Sequence, residues 1–465
     1  KSPFMATFLL FFMNEIELGD PSFRSLKLVE LLQSLDESNP HRFRIGKSLV
    51  DLAESSIQPL IESYPKASPG NQSYIIQLLD WCSRKTTNKN LLDNIGSFFA
   101  EVLESPSPPL RKQVYESHFL KNPHISEETK ERLAQILVNQ LEDFRGYQIN
   151  LHMEEVFENL GKESLSYLEE VLETTMDEEM RRDATYYIGS AGLALEDKEK
   201  IESLFAKLFE KLNLPYMDRE TLSSTLARLC SSPFLPKERV DQFLEWLLKK
   251  WKEEDNEYFY FKALTILNGS PHVNEEKQKV ILQIFLDAFH SPPPEDELVQ
   301  MASETEEGKV FIEDEEESEY FTRLIPGAIY GLQEWACSPH VSMEIGKEII
   351  NALITRLQKI QKWELLLGPY NEARIVEALG KICLQPRLPA KEKERILNVL
   401  KPHAHRMYLV RYLIQIFEKY GEEESLGVVA AEIAYYLYKR KKEIDRLSHD
   451  ERGQVYRLWG AIGSV

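Results

Sequence analysis

Cysteine is scarce in this chain, which has four cysteines among its 465 residues. Cys82, Cys230, Cys337 and Cys383 lie at least 46 residues apart, so the sequence contains no CxxC pair. This spacing excludes a structural zinc site built from local pairs, and four cysteines are too few for a disulfide framework. We therefore expect reduced thiols in an intracellular, reducing compartment, with the cytoplasm as the first choice.

Basic residues are fewer than acidic ones: the chain has 56 Lys and Arg and 76 Asp and Glu, which gives a formal charge of −20. Such a charge repels nucleic acid and anionic membranes, so we predict no nucleic-acid partner. The densest basic run is Lys439, Arg440, Lys441 and Lys442, at the end of a predicted helix over 426–438. These cations are either stabilised by the helix dipole or form a docking patch for an acidic surface.

Long apolar runs are missing as well. The longest is FMATFLLFFM, residues 4–13, which is half of the ~20 residues that a membrane-spanning helix needs. We predict no stable membrane span. Within a predicted N-terminal segment 1–20, this run is interpreted as a buried first helix or a helix donated to a partner; the alternative is the end of a signal or anchor.

Motifs that carry catalysis are absent too. The sequence has no Gly-x-x-x-x-Gly-Lys phosphate loop, no Gly-x-Gly-x-x-Gly and no Gly-x-Ser-x-Gly. His403 and His405 would point apart on a helix, and His152 with Glu154 and Glu155 is interpreted as a surface cluster. We predict no catalytic, cofactor-binding or metal-binding residues and no enzymatic activity.

What the sequence does contain is a repeat of paired amphipathic helices. In residues 161–192, GKESLSYLEEVLETTMDEEMRRDATYYIGSAG, apolar residues recur at helical spacing on either side of a turn at Met176-Asp177. Two helices of this length cannot bury their apolar faces alone, so they must stack on similar pairs. Similar second helices are predicted to begin near residues 72, 109, 147, 178, 218, 256, 325, 370 and 405.

This period resembles that of the HEAT-repeat family, of the HEAT and armadillo type, whose repeats are ~40–47 residues long. The resemblance is best in 161–192, with Asp177 and the Arg181 that follows it, and in 368–384, with Ala378-Leu379-Gly380 near a helix end. It implies an all-α, right-handed superhelical solenoid of eight to ten stacked helical hairpins.

One predicted step, from 256 to 325, is too long and marks an insertion over 291–321. It separates predicted repeats at 21–290 from repeats and C-terminal helices at 322–465. Between Glu295 and Glu319 it holds 12 acids and one base, a net charge of −11. Three interpretations of this segment are open: a solvated loop, a docking segment for a basic partner, or a calcium-binding segment. The last is the weakest, because the segment lacks the D-x-D-x-D-G register that wraps a calcium ion.

We therefore predict a non-catalytic scaffold or assembly subunit that organises partner proteins with a basic surface into a homo- or hetero-oligomer. The alternatives are a transport-type cargo adaptor and an enzyme with a site in the concave groove. Exposed aromatics are expected in the clusters at 258–261 and 435–438. The predicted partner-binding residues are Phe311, Glu313, Asp314, Glu315, Glu316, Glu317, Glu319, Tyr320, Phe321, Lys439, Arg440, Lys441 and Lys442.

Overall fold

All regular structure in the described part of the chain is helical, with 22 α-helices and no strand. The predicted all-α class is thereby confirmed. The computed structural model describes residues 20–35, 39, 41–144, 147–214, 217–253, 258–290, 325–358, 370–404, 407–420, 424–439 and 449–463.

Contacts between Cα atoms divide the chain into two compact units, residues 1–225 and 226–465. The helices that begin in unit 1 are α1 (Pro21–Ser34), α2 (His41–Leu52), α3 (Glu54–Ser63), α4 (Pro69–Ser83), α5 (Lys89–Leu103), α6 (Pro108–Tyr115), α7 (Glu127–Val138), α8 (Tyr147–Leu160), α9 (Lys162–Thr174), α10 (Glu178–Leu193), α11 (Lys198–Lys211) and α12 (Arg219–Leu229).

Those of unit 2 are α13 (Lys237–Glu253), α14 (Tyr258–Ile266), α15 (Glu275–His290), α16 (Ile325–Cys337), α17 (Met343–Gln358), α18 (Tyr370–Cys383), α19 (Ala390–Leu400), α20 (Met407–Tyr420), α21 (Glu424–Lys439) and α22 (His449–Gly463).

Unit 1 is built as two layers of helices. The first helices of successive pairs, α1, α3, α5, α7 and α9, contact one another in order, and so do the second helices α2, α4, α6, α8 and α10. Each pair also closes as a hairpin, as α9 does on α10. This is the arrangement that hairpins adopt when each can bury its apolar faces only against its neighbours.

The α9–α10 hairpin shows why these residues fold locally as they do. The side chain of Asp177 accepts hydrogen bonds from the backbone N–H groups of Glu179 and Met180, which caps α10. Arg181 donates to the carbonyl oxygen of Thr175 at 3.0 Å and so fixes the turn from the other side. The Asp and Arg on which the sequence resemblance rested therefore close the turn.

Side-chain bonds to backbone carbonyls join successive repeats of unit 1. Asn159 donates to Leu120 O at 3.0 Å across 39 residues, and Gln140 donates to Leu103 O at 2.8 Å across 37 residues. Such bonds satisfy carbonyl groups at helix ends, which otherwise lack a partner. These separations match the steps of 37 and 38 residues between the second helices predicted to begin near residues 72, 109 and 147.

Unit 2 repeats the two-layer pattern. Helices α15, α17, α19 and α21 contact one another in order, and α14, α16, α18, α20 and α22 form the second layer. The core between the two layers includes an aromatic series in which Phe261 packs on Phe285 of α15, with ring centroids 5.3 Å apart, and Phe285 packs on Trp335 at 6.4 Å. The Trp335 indole N–H donates to Leu264 O at 3.0 Å across 71 residues. This separation agrees with one repeat plus the extra segment predicted from the sequence.

The second-layer helices begin where the sequence predicts. The observed starts at 69, 108, 147, 178, 219, 258, 325, 370 and 407 lie within three residues of the predicted ones. The described residues hold eleven helix pairs rather than eight to ten, because α2 and α22 belong to additional pairs near the two ends of the chain. The predicted apolar segment 4–13 and the acidic insertion 291–321 lie outside the described residues.

Candidate protein-binding groove

A groove of about 540 Å³ crosses three successive second-layer helices of unit 2, α16, α18 and α20. On α16 only Tyr330 of the lining residues is exposed, whereas the lining residues of α18 and α20 are half-buried or exposed. The lining residues are Pro326, Ile329, Tyr330 and Gln333 from α16, Arg374, Glu377 and Lys381 from α18, Leu384 and Gln385 just after α18, and Tyr412 and Gln415 from α20. An adjoining depression of about 490 Å³ shares Leu384 and Gln415 with the groove and adds Glu418 and Lys419.

The wall at α16 is apolar and aromatic, and it is firmly held. Tyr330 is 54% exposed at the groove, whereas Trp335, one turn further along, is buried and bonded to Leu264 O. Gly331 allows α16 to approach α15, since an added Cβ would lie 2.4 Å from Cε1 of Phe285. The close packing fixes the direction in which Tyr330 points.

Polar residues on α18 recur at positions 374, 377 and 381, and two of them bond to neighbouring helices. The Lys381 ammonium lies 2.6 Å from a carboxylate oxygen of Glu334 on α16. Partial burial works to lower the pKa of Lys381, but the hydrogen bond and charge of Glu334 outweigh it and the pKa is raised. Lys381 therefore stays charged.

The other side of α18 bonds to α20. Glu377 accepts a hydrogen bond from the Tyr412 hydroxyl at 3.0 Å and forms an ion pair with Arg411. Arg411 also donates to the Tyr412 hydroxyl at 2.8 Å. Burial, followed by the bond to Glu377, raises the pKa of Tyr412. These pairs tie three repeats together through sequence separations of 34 to 47 residues.

Cys337 lies beside this network, and burial followed by the charge of Glu334 raises its pKa to about 11. The other three cysteines are buried, and all four are free thiols. Burial also raises the pKa of Cys82 to about 12. The predicted unpaired thiols are thus observed, and burial suppresses thiolate formation at Cys82, Cys230 and Cys337.

Of the partner-binding residues predicted from the sequence, Lys439 alone belongs to the described part of the chain, and it does not line the groove. Residues 311–321 and 440–442 are outside the described part of the chain. Lys439 ends α21, where its ammonium lies 4.5 Å from the centroid of the Tyr435 ring. The groove was not predicted, although the polar spacing of Arg374, Glu377 and Lys381 was a signal for an exposed helix face.

The position of His152 differs from the prediction. His152 was predicted to be a surface residue, but it is half-buried, with Nε2 3.1 Å from Ser117 O and its ring against His118. Burial lowers the pKa of His152. The correction arises because α8 packs in the second layer, which covers that side chain. In the described residues no three His, Cys, Asp or Glu side chains group as metal ligands, and none of the helices there has the length and apolarity to cross a membrane.

One of the two aromatic clusters, that on α21, reaches the surface as expected. In the α21 cluster, Leu437 is buried while Tyr435 and Tyr438 are exposed, which confirms that the cluster reaches the surface. In the α14 cluster, Tyr260 and Phe261 are buried. The side chains of Tyr258 and Phe259 are outside the described part of the structure.

No protein-family model and no curated protein matches this chain. Among solved structures, importin beta aligns at 13% sequence identity with a TM-score of 0.44, covering 96% of this chain and 58% of its own. The C-terminal fragment of the Chaetomium thermophilum cohesin loader SCC2 aligns at 11% identity with a TM-score of 0.43, covering 99% of this chain and 38% of its own. Kap121p, solved bound to Nup53p, aligns at 12% identity with a TM-score of 0.33, covering 95% and 49%.

These neighbours are solenoids of the HEAT and armadillo type, the type of fold that the sequence resemblance implied. This chain spans between 38% and 58% of the lengths of these three proteins. The fold rests on the contacts of the described helices.

Proposed function

We propose that this chain is a non-catalytic scaffold or assembly subunit that holds other proteins on its helical-repeat surface. The observation that carries this proposal is the groove across α16, α18 and α20, because successive repeats contribute its lining. Repeat proteins use extended surfaces of this kind to bind partners. Tyr and Arg, which line this groove, are enriched in protein interfaces.

The charges in the groove favour binding over acid–base chemistry. The pKa of Lys381 and the pKa of Tyr412 are both raised, that is, moved away from neutrality. A general acid or base works best with a pKa near the operating pH. Pairing with Glu334 and Glu377 instead presents the groove as a fixed pattern of hydrogen-bonding groups.

The first test is to isolate the protein from its own cell without crosslinking, weigh it by light scattering and identify companions by mass spectrometry. The proposal expects a complex well above the 54.1 kDa of one chain, with defined companions. A lone monomer would refute the stable scaffold and would leave a transient cargo adaptor or an enzyme to be tested.

The second test removes one groove side chain without disturbing the core. Tyr330→Ala removes an exposed aromatic anchor, and such anchors contribute ≥ ~2 kcal/mol, or about 30-fold in affinity, at interface hot spots. We expect companions to be lost or weakened, with the thermal unfolding unchanged. Met176→Ala, at the most exposed large apolar residue of unit 1, is the matched control and should retain them. Equal retention in both variants would remove the groove from the proposal.

The acidic segment predicted from the sequence is proposed as a second contact, one that attracts a partner with a basic surface. Changing its acids to amides should weaken partner binding and leave the unfolding temperature nearly the same. Unchanged affinity would show that the segment is solvated surface only. The residues to change are Glu313, Asp314, Glu315, Glu316, Glu317 and Glu319.

A further inference from the structure

Helix α21 has an exposed apolar face in the first layer of unit 2. Three large side chains follow helical spacing on the side of α21 away from the core, namely Val428, Tyr435 and Tyr438, exposed by 67%, 60% and 67%. Single exposed apolar residues are normal on a protein surface, but three on one helix are a candidate interface.

Neighbouring polar residues on α21 are already used to hold the helix in place. The Tyr436 hydroxyl donates to Pro402 O at 2.6 Å, and Glu432 forms a 2.6 Å ion pair with Lys401. On the opposite side, Leu437 is fully buried. The helix is therefore fixed by both its apolar and its polar contacts, and Tyr435 and Tyr438 project from a rigid support.

The charge at the C-terminal end of this face is positive, and the Glu432 carboxylate on the same face is paired with Lys401. The Lys439 ammonium lies 4.5 Å from the Tyr435 ring centroid, within the range of a cation–π contact. In the sequence Lys439 is followed by Arg440, Lys441 and Lys442, whose positions lie outside the described residues, so they contribute here only as charges. Four consecutive cations stand out in a chain with a net charge of −20.

We propose that the exposed face of α21, formed by Val428, Tyr435, Tyr438 and Lys439, is a docking surface for an acidic segment of a partner protein. The tyrosine rings would contact apolar side chains of that segment, and the positive end of the helix would attract its carboxylates. An anionic membrane or a nucleic acid extends its negative charge far beyond this face, so the rest of this acidic chain would repel it more strongly than a short acidic segment. The proposal shares with the scaffold function only the premise that the chain binds proteins.

The probe is a fluorescein-labelled synthetic peptide FIEDEEESEYF, which combines six acids with flanking aromatic residues, titrated against the full chain by anisotropy. A second peptide carries amides in place of the six acids. We expect the acidic peptide to bind in 50 mM salt, about tenfold or more tightly than the amide peptide. Its affinity should fall steeply as the salt is raised.

The variants assign the binding to α21. Tyr435→Ala with Tyr438→Ala should weaken the acidic peptide at least about tenfold, and Lys439→Glu should weaken it and flatten its salt dependence. Both changes lie on exposed side chains, so unchanged circular dichroism and thermal unfolding verify the fold. Met176→Ala, an exposed apolar residue of unit 1 that belongs to neither surface, is the control and should bind the peptide normally.

The chain contains the probe sequence at residues 311–321, so the titration is repeated on the full chain with those six acids changed to amides. Peptide binding that is absent in both chains, or unaffected by the loss of both tyrosines, would overturn the proposal. Binding of phosphatidylserine vesicles or of a single-stranded oligonucleotide that requires Tyr435 and Tyr438 would also overturn it. If light scattering shows self-association that disappears in the double variant, the occupant of this surface is a second copy of the chain and the proposed partner protein is wrong.

Failure here is distinguishable from failure of the scaffold function. Loss of companions in Tyr330→Ala alone, with no peptide binding at α21, would retain the groove and reject this surface. Peptide binding at α21 in a chain that purifies alone would retain this surface and reject the stable scaffold.

Discussion

Gly331 on α16 lies against the ring of Phe285 on α15, and replacing it with alanine tests how tightly the two layers of unit 2 pack on each other. The new Cβ would lie 2.4 Å from Cε1 and 2.7 Å from Cζ of Phe285, closer than Cβ atoms approach their neighbours. Phe285 is fully buried between Phe261 and Trp335. The ring has no empty space to enter, so α16 or the aromatic series must shift.

The expected magnitude follows from two opposing terms. Overpacking a core usually costs about 1–3 kcal/mol. Replacing glycine with alanine inside a helix recovers about 0.5–1 kcal/mol. A 2.4 Å approach is severe, so the overpacking cost should be about 2–3 kcal/mol; less about 1 kcal/mol of helix gain, Gly331→Ala should lower the free energy of unfolding by about 1–2 kcal/mol. At ~2–4 °C per kcal/mol for a unit of this size, the unfolding temperature should fall by about 2–8 °C.

Gly346 provides the matched control, because it lies within α17 of the same unit and an added Cβ would meet no atom within 4 Å. Gly346→Ala should show only the gain from replacing glycine inside a helix, with no overpacking cost, and should stabilise the protein by about 0.5–1 kcal/mol. Urea unfolding followed by circular dichroism and tryptophan fluorescence measures both variants. The packing argument is refuted if Gly331→Ala is as stable as the unchanged chain, or if both variants shift in the same direction.

Three further changes test the fold elsewhere. Gly161→Ala should destabilise unit 1 by at least about 1 kcal/mol in calorimetry, since φ is +52° there and the Cβ would lie 3.1 Å from that of Ala194; equal stability would contradict it. Asp177→Ala should cost about 1 kcal/mol by removing the α10 cap, whereas Asp177→Asn should cost less. Alkylation of Cys337, with its pKa of about 11, should be about 100-fold slower at pH 8 than in the denatured chain and should accelerate as the pH rises; a rate equal to that of the denatured chain would count against its burial.

The helical repeat was predictable because its signals are local. Apolar residues at a spacing of 3.6, punctuated by Pro and by capping residues such as Asp177, define where each second helix begins. The largest deviation, between the predicted start at 72 and the observed Pro69, arises because Ser68 caps a helix whose first residue is proline. Such a proline was expected to mark a break between helices.

The groove could not be predicted because it depends on contacts between distant residues. The bond of Lys381 to Glu334 spans 47 residues, and that of Tyr412 to Glu377 spans 35. A helical pattern shows which residues are exposed, but the rotation and offset of stacked helices decide which exposed residues meet. The fit of Gly331 to Phe285 is of the same kind, since neither sequence neighbourhood signals the other.

Two adjacent residues on α16 face different surroundings, one the groove and the other the core. Tyr330 faces the groove, whereas Gly331, the next residue in the chain, faces Phe285. Consecutive residues of an α-helix point about 100° apart, so one helix can serve the core and the surface at once. Tyr330→Ala should therefore weaken partner binding without lowering the unfolding temperature, and Gly331→Ala should lower that temperature even where no partner is present. A Tyr330→Ala variant that loses as much stability as Gly331→Ala would mean that Tyr330 packs inward, and the groove would then lose its aromatic wall.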